Sequence, residues 1–142
     1  MVRRVLVASL VAAGLTACLR YGGVAHVKAG STAANLVLEL AADDTGAPLP
    51  PIDAIVFDGG PYNKRSRGGA PPTPTWFLAA LDTASPASRE LREIRYGTVP
   101  AGFVEAAKPL PLFAGSYSIE IRAGRFRLRK SFVVDSDLAA HD

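Results

Sequence analysis

The chain has very few of the residue types on which catalytic and metal sites are most often built. Its 142 residues include one cysteine, Cys18, and two histidines, His26 and His141. A single cysteine excludes an intramolecular disulfide, so the fold has to stand on its own core. Neither histidine has a second histidine or a group of carboxylates at ligand spacing, so no metal site is indicated. There is no Gly-x-Ser-x-Gly elbow, no His-Glu-x-x-His pair and no Gly-x-x-x-x-Gly-Lys phosphate loop. Nucleophilic catalysis would need an unusual Ser-Lys or carboxylate arrangement, and no cofactor is implied. Long apolar runs are also lacking. The one candidate, Val5 to Ala17, has thirteen residues. As a helix it spans about 20 Å, short of a hydrocarbon core of about 30 Å, which argues against a permanent transmembrane anchor.

What is present begins at the N-terminus. Met1-Val2-Arg3-Arg4 supplies a charged start, the apolar run follows, and small residues precede Cys18, which is the layout of a secretory signal. Within it, Leu15-Thr16-Ala17-Cys18 resembles the bacterial lipobox: an aliphatic residue, a small one, then Gly, Ala or Ser, then Cys. The resemblance covers the first eighteen residues. It implies diacylglycerol on the Cys18 sulfur, cleavage between Ala17 and Cys18, and acylation of the new amino group. One acyl chain binds membranes marginally, whereas two or three anchor stably. The lipobox therefore implies a membrane partner through lipid. Leu19, which is not aspartate, implies sorting onward to the periplasmic face of the outer membrane, with the inner membrane as the other destination. An ordinary signal peptide followed by a coincidental cysteine is the competing reading.

On this reading the chain divides into a leader (1–17), a lipidated cysteine with a short tether (18–23), a folded domain (24–135) and a tail (136–142). Lys plus Arg total 16 against 13 acids, but losing Arg3 and Arg4 with the leader reduces the net charge from +3 to +1. The basic balance is thus poor support for a nucleic-acid partner, and export makes one less expected still. A tether over Leu19–Gly23 reaches about 17 Å when extended, so the domain should sit directly on the membrane surface.

Strand patterns recur along that domain, whereas helix patterns are scarce. Leu36, Leu38 and Leu40 share one face of a period-two run ended by Asp43-Asp44-Thr45-Gly46. Ile52 to Phe57 is a second strand, stopped by Asp58-Gly59-Gly60-Pro61. Val24 to Lys28 and Trp76 to Leu81 are further candidates. From Asp58 to Thr75 the chain is rich in Gly and Pro, carries Lys64, Arg65 and Arg67, and reads as a long loop. Ser85 to Leu91 fits a short capped helix, in competition with a strand over Arg92–Tyr96. Ser116–Arg122 and Arg125–Arg129 alternate cleanly around Ala123-Gly124, which predicts a hairpin with Ile121 opposite Phe126, Ile119 opposite Leu128 and Tyr117 opposite Lys130. The expected fold class is all-β: a single antiparallel β-sandwich of about seven to eight strands with a C-terminal hairpin, preceded by a signal-peptide helix. Trp76, Phe103, Tyr117, Ile119, Ile121, Phe126, Leu128 and Phe132 should be its largely buried residues.

Gly115-Ser116-Tyr117 resembles the Gly-x-Tyr that opens late strands in immunoglobulin-like and prealbumin-like sandwiches, where the tyrosine closes a corner. Tyr96 to Phe103, Pro109-Leu110 and Gly115 to Tyr117 are together similar to the C-terminal part of small Gram-negative lipoproteins, a resemblance that implies no activity. The carboxylates of Asp43-Asp44 and Asp135-Ser136-Asp137 fit turn chemistry better than a calcium cadence. One polar feature stands out: Arg122, Arg125, Arg127 and Arg129 around Glu120 on the outer face of the hairpin, a candidate surface for an anionic partner. The expectation is a lipid-anchored, non-catalytic envelope module with a protein or glycan partner, or an accessory to an assembly. The alternatives are an envelope enzyme with an unrecognised site, or a protein that binds anionic surfaces through the arginine face.

Overall fold

The strongest alternation in the sequence becomes the longest pair of strands. Gly115–Ala123 (β8) and Phe126–Val134 (β9) pair antiparallel over nine positions. The computed structural model describes residues 18–63 and 73–142. The leader with its expected signal-peptide helix, and the part of the glycine- and proline-rich loop carrying Lys64, Arg65 and Arg67, lie outside the described residues.

Among the described residues the remaining strands are β1 (Arg20–Tyr21), β2 (Val24–Val27), β3 (Val37–Ala41), β4 (Ala54–Gly59), β5 (Trp76–Ala80), β6 (Glu93–Arg95), β7 (Phe103–Ala107) and β10 (Ala140–His141). They form two sheets. One runs β1-β9-β8-β4-β5-β7, with β10 also paired to β9; the other runs β2-β3-β6. Every pairing is antiparallel except β1 with β9. The chain is thus an all-β sandwich. Leu36, Leu38, Leu40 and Ile94 from the smaller sheet side meet Ile55, Phe57, Leu78, Ile119, Ile121, Leu128 and Phe132 in one core. Each of these side chains is removed from water, worth about 1.5–3 kcal/mol for a full-sized apolar group. Of the residues expected inside, only Phe126 is partly exposed; Trp76, Phe103, Tyr117, Ile119, Ile121, Leu128 and Phe132 are buried.

The hairpin differs from the expected register. Its turn is Gly124-Arg125, not Ala123-Gly124, and the pairing is shifted by two residues, so that Ala123 faces Phe126, Ile121 faces Leu128 and Ile119 faces Lys130. Gly124, at φ 58°, takes the first central position of a type II′ turn, and its N–H donates to the Asp53 carboxylate at 2.7 Å. The shift brings Tyr117 opposite Phe132, stacked with ring centroids 5.6 Å apart, where the expected register had Lys130. Because the shift is even, every side chain keeps its face. Lys130 reaches the edge of the sandwich, with its ammonium 3.7 Å from the Asp142 carboxylate.

Other boundaries moved for local reasons. β4 continues through Asp58 and Gly59, because both still pair with β8. Pro86–Arg89 is one turn of 3-10 helix whose first turn is capped by Ser85, and the competing strand survives as β6 directly after it. The tether expected over Leu19–Gly23 is largely absorbed: Arg20 N–H donates to Arg125 O at 2.8 Å and Gly22 N–H to Arg127 O at 3.0 Å. The first strand among the described residues therefore begins two residues after Cys18.

Candidate functional site

The strand order gives the sandwich two unlike ends, and the candidate residues divide between them. At one end lie the β8–β9 turn, β1 and Cys18, which is exposed. At the other lie Gly59-Gly60, the start of β8 and the segment Pro109–Phe113.

The outer face of β8 and β9 carries the expected arginines, but the structure divides them. Arg122 and Arg127 pair across the strands, as do Glu120 and Arg129. Glu120 accepts from Arg122 Nε at 2.7 Å and from Arg129 Nε at 2.5 Å. Partial burial pushes the Glu120 carboxyl up, but the two guanidinium partners outweigh it and hold it below the ordinary carboxylate range. Arg129 also lies over the Tyr21 ring, 5.8 Å from its centroid, which ties edge strand β1 to the face. Arg127 folds back on the turn, its Nη1 donating to Gly124 O at 2.7 Å and Phe126 O at 2.9 Å. Arg125 is in the turn itself, off the face, and has no side-chain partner among the described residues. The four arginines thus do not form one free surface. Two share the single carboxylate of Glu120, one braces the turn, and one projects from the tip.

Beside the Glu120 cluster is a polar concavity of about 370 Å³, lined by Asp58, Ser118, Ile119, Glu120, Arg129, Lys130 and Ser131. Asp58, opposite Ser118 on β4, has its carboxyl pushed up first by partial burial and then by the charge of Glu120, with Arg122 opposing. No histidine lines it, so neither serine has an imidazole base within the concavity.

At the opposite end three tyrosine hydroxyls hold one extended segment. Tyr62 Oη donates to Pro111 O at 2.8 Å. Tyr96 Oη lies 2.8 Å from both Thr75 O and Leu110 O, and donates its single proton to one or the other. Burial pushes its phenol up to about 12. Tyr117 Oη accepts from Phe113 N–H and donates to Phe113 O, both at 2.9 Å, closing the corner four residues upstream that Gly-x-Tyr implied. The rings of Phe57, Trp76 and Tyr96 pack beneath, with centroids 5.1–5.6 Å apart. Periodicity reading missed this clamp, because the hydroxyls come from positions far apart in the chain. The one signal was Tyr117.

The remaining candidates have structural partners. Asp43 Oδ1 accepts from Thr45 N–H and Thr45 Oγ1, an Asx turn. Asp135 meets His141 Nε2 at 2.9 Å, and Asp142 meets His26 Nδ1 at 3.1 Å. Among the described residues no group of three or more His, Cys, Asp or Glu side chains is placed to hold a metal ion, and no helix is long and apolar enough to cross a membrane. The chain matches no protein-family model, no curated protein and no solved structure.

Proposed function

We propose that this chain is an envelope lipoprotein, cleaved before Cys18, acylated on its sulfur and carried on the periplasmic face of the outer membrane as a non-catalytic binding or assembly-accessory module. The observation that carries the reading is Leu15-Thr16-Ala17-Cys18 behind a charged start and an apolar run. The geometry is compatible with it: Cys18 is exposed and two residues from the first paired strand, so lipid there would not disturb the core. The absence of a histidine from the Ser118–Ser131 concavity favours binding over hydrolysis. A protein or glycan partner is the chemistry such a polar, solvent-facing sheet would serve.

Mass spectrometry of the mature N-terminus tests the reading. A thioether-linked diacylglycerol on Cys18 is expected, and Cys18→Ser should release the protein from membranes. An unmodified N-terminus elsewhere, or membrane association unchanged by Cys18→Ser, would overturn it. Fractionation to the inner membrane would overturn only the sorting.

A further inference from the structure

We infer that the β8–β9 turn is a second, electrostatic foot on the membrane: Arg20 and Arg125, beside the acylated cysteine, contact the phosphates of an anionic lipid surface. The inference rests on the lipid at Cys18. Arg20 lies two residues from that cysteine, a span of about 7 Å. Its N–H is bonded to the carbonyl of Arg125 at 2.8 Å. The covalent anchor and the tip of the hairpin are therefore held together at one corner of the sandwich. Whatever depth the lipid imposes on Cys18, both arginines share it within a few residues' reach.

These two differ from the other described arginines, of which Arg92 donates to Gly46 O and Arg95 to Asn35 Oδ1. Arg122 and Arg129 are engaged by Glu120, Arg127 by the turn carbonyls, and Arg89 by Asp53 at 2.6 Å. Among the described residues, neither Arg20 nor Arg125 has a side-chain partner, and both are exposed. Leu19 and Tyr21 flank Arg20 and are themselves exposed, at 50 % and 58 %. Alternating apolar and cationic side chains suit the boundary between headgroups and acyl chains. The acids at this end oppose a flat approach. Asp53 is occupied by Gly124 N–H and Arg89, but Asp43 and Asp44 lie in the turn after β3, at the end where Ala41 pairs with Val24. The domain therefore leans, with the hairpin corner down and the Asp43-Asp44 turn away from the negative surface.

Each arginine near an anionic surface should raise the ratio of engaged to free tip roughly fivefold, and the pair together roughly 25-fold. The experiment uses the acylated protein, inserted into vesicles of phosphatidylcholine alone or of phosphatidylcholine with phosphatidylglycerol. Amide hydrogen exchange is followed in peptides covering Leu19–Gly23 and Gly124–Leu128, with Asp135–Ala139 as the far-end control. Slower exchange at the tip only in the anionic vesicles, reversed by salt and lost in the Arg20→Ser, Arg125→Ser double variant, is the expected result. Arg122→Ser, which removes an arginine already held by Glu120, should leave the protection in place. Equal exchange in both vesicles, or loss of protection with Arg122→Ser, overturns the inference while the lipoprotein reading stands. An N-terminal mass showing no acyl group on Cys18 in the same preparation overturns both.

Discussion

The two ends of the sandwich each contain a glycine at nearly the same positive φ, yet they are held by different physics. Gly124, at φ 58°, sits in the open turn, where an added Cβ would meet nothing within 4 Å. Gly60, at φ 57°, lies under the Tyr117 ring, where an added Cβ would clash with the ring and its hydroxyl oxygen. The turn end is exposed, charged and organised by carboxylates and guanidinium groups. The Gly60 end is aromatic and part-buried, and organised by phenol hydroxyls on backbone carbonyls. Interactions in water are weak and replaceable, whereas those away from water are costly to lose. The turn end is therefore open to meeting another surface, while contacts at the Gly60 end are the costlier ones to lose.

The sharpest test of that contrast is a matched pair of substitutions. Gly60→Ala should cost about 2–5 kcal/mol, combining left-handed backbone strain with overpacking against Tyr117. Its counterpart Gly124→Ala should cost only about 1–2 kcal/mol, from backbone strain alone. Denaturant midpoints compare the two directly, and equal losses would remove the distinction between the ends. Between them in size comes Tyr117→Phe, which leaves Phe113 N–H and C=O without their partner. It should cost about 1–3 kcal/mol, and exchange at the Phe113 amide should accelerate more than at the turn. No change at Phe113 would mean that the corner is held by ring packing alone.

The smallest effect expected is on pH dependence at Asp58. Its folded carboxyl is raised above its unfolded value by burial and by Glu120, so the ionised form penalises the fold. That penalty is fully present above the folded pKa and disappears below the unfolded one. Asp58→Asn should therefore raise the thermal midpoint slightly at neutral pH and leave it unchanged in acid. Destabilisation at neutral pH would mean that the carboxylate has a favourable partner, contrary to the geometry.

Some of this was legible in the sequence. The inward set on β8 and β9 was readable because a strand's side chains alternate with period two, and no even register shift alters the face. The register itself was not, since the turn is pinned by Asp53, 71 residues from Gly124, and by Phe132 stacking on Tyr117. β7 escaped notice because Phe103-Val104-Glu105-Ala106-Ala107 is an edge strand with one buried residue, and so shows little alternation. Alternation places Arg122, Arg127 and Arg129 together, but it does not reveal that Glu120 holds two of them, or that the shifted turn removes Arg125.

What the sequence determined by itself is local: a cysteine preceded by Leu15-Thr16-Ala17, an all-β chain without disulfides, and the parity of each strand. These follow from residues within a few positions of one another. The tertiary structure decided which arginines have partners, that β1 lies against the hairpin tip, and that Tyr62, Tyr96 and Tyr117 converge on Pro109–Phe113. Each of these depends on groups brought together from distant parts of the chain, where burial and hydrogen-bond geometry, not sequence spacing, choose the partner.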